Sequence, residues 1–389
     1  MEFSFTEEQQ MIRDTAEAFL AEVSTSAAVR EAMATELGYD KALWERVCTE
    51  LYWPAMHIPE AYGGMGLGYV ELVATLEQMG RYLFCSPFFS TVCLGVNALL
   101  VAGNEEQKSV WLPQIIEGKT ATLAYTGTSG LWGLDTVDGV CVTDGDSYRL
   151  NGRWRYVPDG HSADVIVLAA RKPGSTGVEG ISLFVLPAET PGVSRTWLPT
   201  MDQTRKQGEL LLEDVAVPAA ALLGEFGEGA ALLQSVINLA TVAVAADQVG
   251  VAQQSLDSAV SYMQERVQFG RVIASYQALK HKAADMMLKA EAAKSAAYYA
   301  ACVADEHLSG GPMGGELPEA ASIAKAYCSE AAFFNAGCGI QLHGGVGFTE
   351  EYDIQLYFKR AKSGETLLGD AALHRERVAA SLLDGGAAA

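Results

Sequence analysis

Arg266 and Gln277 stand eleven residues apart, in a stretch from Arg266 to Asp285 that ends one long helical pattern and begins another. Phe269-Gly270 marks the break, where glycine can end a helix because it enters left-handed backbone without a Cβ clash. A guanidinium held at a helix end is permanently charged and can bind two phosphate oxygens at once. A carboxamide offers a donor and an acceptor, which suits the edge of a base or a ribose. A second stretch, Gln341-Leu342-His343-Gly344-Gly345-Val346-Gly347-Phe348, sets three glycines behind another carboxamide, with Glu351 ten residues after Gln341. Glycines let a backbone approach a ligand closely. The plainer reading of this stretch is a bundle loop that needs glycine for packing, with His343 as a packed ring and not a base. The remaining histidines are not at metal-ligand spacing. The cluster Pro59-Glu60-Ala61-Tyr62-Gly63-Gly64-Met65-Gly66 reads as tight turning before it reads as a phosphate cradle.

The elements that must position these residues follow from length and period. At 389 residues the chain exceeds one ordinary core, and 49% apolar residues support a sizeable interior. A net charge of −21 argues against nucleic acid or an anionic membrane as partner. Seven cysteines, an odd number without a Cys-x-x-Cys pair, exclude a complete disulfide framework and read as reduced thiols in the cytoplasm. No run approaches 18 uninterrupted apolar residues, and the first four residues do not read as a signal peptide. Thr6-Glu7-Glu8-Gln9 is a capping-box pattern that opens an amphipathic helix to about Val23. Helical spacing recurs over 40–51, 70–82 and 91–102, and 113–119 closes a helical domain at 1–119. From Thr120 the period changes. Segments 121–126, 147–151, 165–170, 181–186 and 209–213 read as strands of a middle β domain at 120–225, a sandwich or barrel. From Ala230 the chain is rich in Ala, Leu and Val, and predicts four or five long helices at about 230–266, 276–308, 318–340 and 350–382, the bundle of a third domain at 226–389.

Arg-x-x-Phe-Gly with Gln277 following, together with Gln-x-x-Gly-Gly at Gln341, resembles the acyl-CoA dehydrogenase family. The order of helices, sheet and bundle agrees, as do Pro59-Glu60-Ala61-Tyr62-Gly63-Gly64, Gly208 to Pro218 and Leu222 to Gly229, so the resemblance covers about residues 2–380. It implies the acyl-CoA dehydrogenase fold, FAD as cofactor and an acyl-CoA thioester as substrate. It also implies an electron-transfer flavoprotein or other electron acceptor. In that family the two motifs reach across a subunit interface to the ADP half of a neighbour's FAD. This assigns Arg266, Phe269, Gln277, Gln341, Gly344 and Gly345 to the cofactor.

Dehydrogenation removes an α-proton while a β-hydride leaves for the flavin, so a general base, usually Glu, must lie near the thioester. The family's commoner position is 27 residues after Gln341, which is Leu368, with Arg375 and Ala379 matching beyond it. The minority position is 26 residues before Arg266, which is Ala240. Neither is acidic. Glu365, three residues before Leu368, is the rescue candidate, and its plain reading is a surface carboxylate near Lys359 and Lys362. The family's flavin-ring segments also depart. Of Thr-Glu-Pro-Gly-x-Gly-Ser-Asp only Thr126 survives, which the resemblance assigns to the cofactor, and Pro158 stands where a threonine hydroxyl would meet the flavin. The half of the site that serves a neighbour is intact and the chain's own half is altered. That resembles the catalytically deficient subunit of bacterial α2β2 acyl-CoA dehydrogenases of steroid side-chain breakdown, with a homologous catalytic subunit as partner. The rival expectations are an active homotetramer with a non-standard base, oxidase or monooxygenase chemistry, and a structural pseudoenzyme without flavin.

Overall fold

The computed structural model describes residues 5–383. Helices α1 (Glu7–Val23), α2 (Ser26–Ala34), α3 (Lys41–Thr49), α4 (Tyr69–Arg81), α5 (Asn97–Ala102) and α6 (Glu105–Ile116) come first. The sheet strands follow: β1 (Ala121–Ala124), β2 (Val140–Asp144), β3 (Ser147–Pro158), β4 (Val165–Arg171), β5 (Ile181–Pro187), β6 (Val193–Leu198), β7 (Gln207–Pro218) and β8 (Leu222–Leu223). The last third holds α7 (Ala230–Glu265), the short pair β9 (Val267–Gln268) and β10 (Arg271–Val272), then α8 (Gln277–Ser309), α9 (Leu317–His343), α10 (Ile354–Thr366) and α11 (Ala371–Leu383). This is the helical, sheet, helical order expected from the change of period.

The described residues form two compact units. One is built from the chain up to Glu31, from Tyr69–Phe84 and from Thr241 onward; the other from Ala32–Gly68 and Cys85–Ala240. The first is a bundle. Its α1 begins where the sequence places it, because the Thr6 hydroxyl accepts from Gln9 N and the Gln9 side chain accepts from Thr6 N, which satisfies two otherwise orphaned amides. Helix α4 crosses α7 at backbone contact. A Cβ on Gly80 would lie 2.1 Å from the Asp247 carbonyl oxygen, and one on Gly250 would lie 1.9 Å from that of Glu77. Arg360 of α10 meets Asp247 in a buried ion pair at 2.8 Å, with a second bond at 3.2 Å. The apolar length of α7 would suffice to cross a membrane, but most of its apolar window is buried inside the protein. The seven cysteines are unpaired.

The second unit holds one eight-stranded sheet in the order β6-β7-β3-β2-β4-β5-β8, with β1 parallel to β4. Strands β3 and β7 are twelve residues each and pair through two irregularities. The expected strand at 147–151 therefore runs on to Pro158. At the first irregularity Asn151 accepts from Asp214 N at 2.7 Å, and Gly152 takes φ 153°. Strands β2 and β6 were not expected: β2 has only the three-residue apolar run Val140–Val142, and β6 alternates half-buried and exposed residues. Trp154 anchors the core, fully buried, its indole N–H donating to Ala169 O at 2.9 Å.

Two expectations need correction. The helix expected at 91–102 begins as eight residues of π-helix, Phe89–Val96, before α5. The single helix expected over 350–382 is two. It breaks where Leu368 and Gly369 take φ 62° and 104°, and Asp370 then accepts from Leu373 N at 2.9 Å to start α11. The apolar period continues across this break, so periodicity does not reveal it.

Candidate cofactor site

Helix α7 ends at Glu265, and the chain turns back through β9 and β10 with Phe269 and Gly270 at the tip, at φ 53° and 79°. The turn is tied to the helix by Arg266 N donating to Tyr262 O at 2.9 Å and Ile273 N donating to Arg266 O at 2.8 Å. An apolar cluster beneath it joins Met263 of α7, Ile273, Leu279 of α8 and Leu342 of α9. That packing brings the two sequence motifs to one end of the bundle. Arg266, Gln277, Gln341, Gly344 and Gly345 are all exposed there, and Phe269 is 91% exposed.

Among the described residues the Arg266 guanidinium has no ion-pair partner. Lys280 and Lys282 follow in the first turns of α8, so positive charge gathers here in a chain of net −21. The N-terminus of α8 adds backbone N–H groups and the positive end of a helix dipole. A Cβ on Gly344 or Gly345 would meet nothing within 4 Å, whereas one on Gly347 would lie 2.6 Å from Ile340 O. Packing within this chain therefore demands the third glycine, and the helix end demands the first, at φ 66° and ψ −141°, while the exposed backbone of Gly344 and Gly345 is open to a ligand. His343 keeps its plain reading. Its ring stacks on Tyr262 at 4.4 Å, its Nδ1 donates to Gly339 O at 2.7 Å, and burial lowers its pKa. The arrangement suits a polyanion with a nucleotide edge: a free fork, two ammoniums, two carboxamides and an open glycine backbone.

At the two places where the resemblance puts a base there is no acid. Leu368 is 1% exposed, and Ala240 is fully buried within α7. The Leu368 carbonyl accepts from His374 Nε2 at 3.1 Å, and the neighbouring carbonyls of Glu365 and Gly369 accept from Lys325 Nζ at 2.9 and 2.7 Å. The Glu365 carboxylate pairs with Lys362 Nζ at 2.8 Å. Among the described residues no cluster of His, Cys, Asp or Glu could hold a metal.

In the sheet unit the segments that the resemblance assigns to a flavin ring make their contacts within the chain. The buried Thr126 hydroxyl donates to Arg155 O. Tyr156, at φ 56°, lies over Gly130, where a Cβ would come 2.5 Å from its ring. Trp132 packs on Tyr125 with centroids 5.9 Å apart. Thr128 N donates to Asp138 at 2.9 Å, and a Cβ on Gly127 would strike that carboxylate at 2.1 Å. The Pro158 carbonyl accepts from Thr122 at 2.6 Å, and proline has no N–H to offer. These residues do not fit a ring that needs hydroxyl and amide donors, whereas the bundle end fits the nucleotide half of FAD. Sequence reasoning passed over Asp138 and Lys325. No period or motif marks the first, and Lys325 shows only as a lone cation on the apolar α9.

In chain order the protein carries helices, one eight-stranded sheet and a helical bundle whose end exposes Arg266, Gln277 and Gln341. The chain belongs to the acyl-CoA dehydrogenase family, FAD-dependent oxidoreductases. The model of the acyl-CoA dehydrogenase N-terminal domain matches residues 6–119, and that of the C-terminal domain matches 227–383. The chain is 32% identical over 369 residues to the acyl-CoA dehydrogenase IpdE2 of Mycobacterium tuberculosis, covering 93% of each. Its fold superposes on the butyryl-CoA dehydrogenase of Megasphaera elsdenii with a TM-score of 0.90 at 28% identity, covering 98% of this chain and 100% of that one. It also superposes on a chain of the ChsE4-ChsE5 complex of M. tuberculosis with a TM-score of 0.87 at 28% identity, covering 98% and 99%.

Proposed function

We propose that this chain is an FAD-sharing subunit of a heteromeric acyl-CoA dehydrogenase. It presents Arg266, Gln277 and the Gln341–Gly345 loop to a flavin nucleotide held mainly by a homologous partner, and the partner supplies the base. The observation that carries this reading is the asymmetry between the two halves. The bundle end offers an unpaired guanidinium and open glycines, while Leu368 and Ala240 are apolar and buried and the ring segments make their contacts within the chain. A chain that had lost flavin altogether would have no reason to keep only the outward-facing half. The Glu365–Lys362 pair disfavours the active homotetramer, because a carboxylate neutralised in a surface pair is a poor base for a thioester. The similarity to the ChsE4-ChsE5 complex supports a heteromeric assembly, and a fold match to the Tcur3481-Tcur3483 steroid acyl-CoA dehydrogenase (TM-score 0.85, 29% identity, covering 98% and 99%) supports a steroid acyl group. An electron-transfer flavoprotein would take the electrons, in the cytoplasm. In this reading Thr126 holds on to β3 through Arg155 O and does not serve the flavin.

The test is flavin stoichiometry. Co-purified with its partner, the complex should carry one FAD per unlike pair, and the chain by itself should emerge nearly colourless. One FAD for every chain, or tightly bound flavin with dehydrogenase activity in this chain alone, would replace the reading with the homotetramer.

A further inference from the structure

Lys325, on α9, is wholly buried and lies within ion-pair distance of no carboxylate among the described residues. Its Nζ has three partners: Ser329 Oγ at 3.1 Å, Glu365 O at 2.9 Å and Gly369 O at 2.7 Å. A neutral amine satisfies that set completely. Its two N–H groups donate to the two carbonyls, and its lone pair accepts from the Ser329 hydroxyl. An ammonium can also donate to all three, but it places a full charge out of water with no counter-ion in contact. Two carboxylates, Glu365 and Asp370, favour the ammonium from a distance and offset burial only in part. Glu365 of α10 turns its carboxylate to Lys362, and Asp370 of the turn caps Leu373 N at 2.9 Å. His374 of α11 is held neutral mainly by burial, its pKa pushed down to about 3, so it brings no negative charge to Lys325. Cys328, one turn along α9, is buried with its thiol pKa pushed up to about 12. Burial accordingly lowers the Lys325 pKa from 10.5 to about 7.

The carbonyls that Lys325 holds belong to the break between α10 and α11. Leu368 there sits in left-handed backbone, which a leucine adopts only when its surroundings enforce it. We propose that Lys325 is a proton-linked latch on the turn Leu367–Gly369, closed while the amine is neutral and loosened when it takes a proton. Opening hydrates Nζ, and the hydrated amine binds a proton from solvent that the closed form excludes. The closed turn therefore gains as pH rises from about 7 toward the ordinary lysine value near 10.5, because only the open state is then still protonated. Below about 7 both states hold the proton and pH has no further effect. This would make the loop around residue 368 sensitive to pH at neutrality, whether or not the flavin is shared.

Hydrogen exchange of the full chain tests it, with rates corrected for the chemistry of exchange. The reporters are peptides containing the amides of Leu367 and Gly369, which donate to Ser363 O at 3.0 Å and Thr366 O at 3.2 Å. Between pH 7 and 9 the opening constant of this turn should fall by up to about tenfold per unit, the limit for one linked proton. Peptides from β4 and β5 should stay level, and in Lys325→Met the turn should lose its pH dependence. A wild-type turn whose corrected protection ignores pH, or a slope that persists in Lys325→Met, overturns the latch. Should Lys325→Met not fold, the wild-type comparison of turn and β4–β5 peptides still decides. Ser329→Ala decides as well: it removes the donor to the neutral amine and should lower turn protection at pH 9, and unchanged protection there counts against the latch.

Discussion

Removing one guanidinium separates a ligand-binding role for Arg266 from a structural one. Arg266 is exposed, has no ion-pair partner among the described residues, and follows the last residue of α7. The fold can use it only through the helix dipole, where a cation near the C-terminus contributes about 0.3–1 kcal/mol. For a chain of 389 residues that amounts to a melting shift of only about 0.4–1.2 °C in Arg266→Ala. If the guanidinium instead meets a pyrophosphate, the same substitution removes a charge-assisted contact worth about 1.5–3 kcal/mol. At about 1.4 kcal/mol per decade, FAD affinity of the complex should fall by roughly ten- to more than a hundredfold. The assay is FAD release on dilution of the reconstituted complex, followed by flavin fluorescence, beside the melting temperature of the flavin-free chain. Arg266→Lys should restore only part of the affinity, since an ammonium keeps the charge but not the two-pronged geometry. FAD retention unchanged in Arg266→Ala, or a flavin-free melting point that collapses, would refute the assignment.

Leu368→Glu should not produce a chain active by itself. The new carboxyl would stand at a position 1% exposed and tend to stay protonated, and the ring segments of the sheet unit would still make their contacts within the chain. Anaerobic flavin bleaching with a panel of acyl-CoAs checks this, and strong bleaching gained by the variant would show that only a base was missing. Glu365→Gln should leave any bleaching by the complex unchanged, whereas its abolition would identify Glu365 as the base. Arg360→Met strands the Asp247 carboxylate inside the bundle and should cost about 3–5 kcal/mol in urea unfolding. Arg360→Met with Asp247→Asn should recover much of that, and a single-variant loss under about 1 kcal/mol would mean the pair is hydrated.

The architecture was legible because it rests on period and punctuation. The Thr6 capping box begins α1, and the long Ala-rich stretches become α7, α8 and α9 nearly as expected. Their apolar faces repeat at helical spacing, and a helix needs only its own neighbours in sequence to satisfy its backbone. Sheet elements were less legible. Strand β6 is half exposed and has no apolar run, and β3 continues through Asn151-Gly152 because Asp214, 63 residues away, supplies the bond. The break at Leu368-Gly369 was invisible for a similar reason, since Lys325 and His374 hold it from other helices.

By itself, then, the sequence determined the helical, sheet, helical order, the motifs at Arg266 and Gln341, and the absence of an acid at Leu368 and Ala240. These are properties of residue type and spacing, which the chain carries before it folds. Tertiary structure alone decided that Arg266, Gln277 and the Gly344-Gly345 backbone share one open end of the bundle, and that the Thr126 hydroxyl is taken up by Arg155. It also decided that Lys325 is buried against a turn 40 and 44 residues away. Those facts depend on which distant groups meet and which are shut off from water, and no local pattern encodes a burial that only the closed bundle creates.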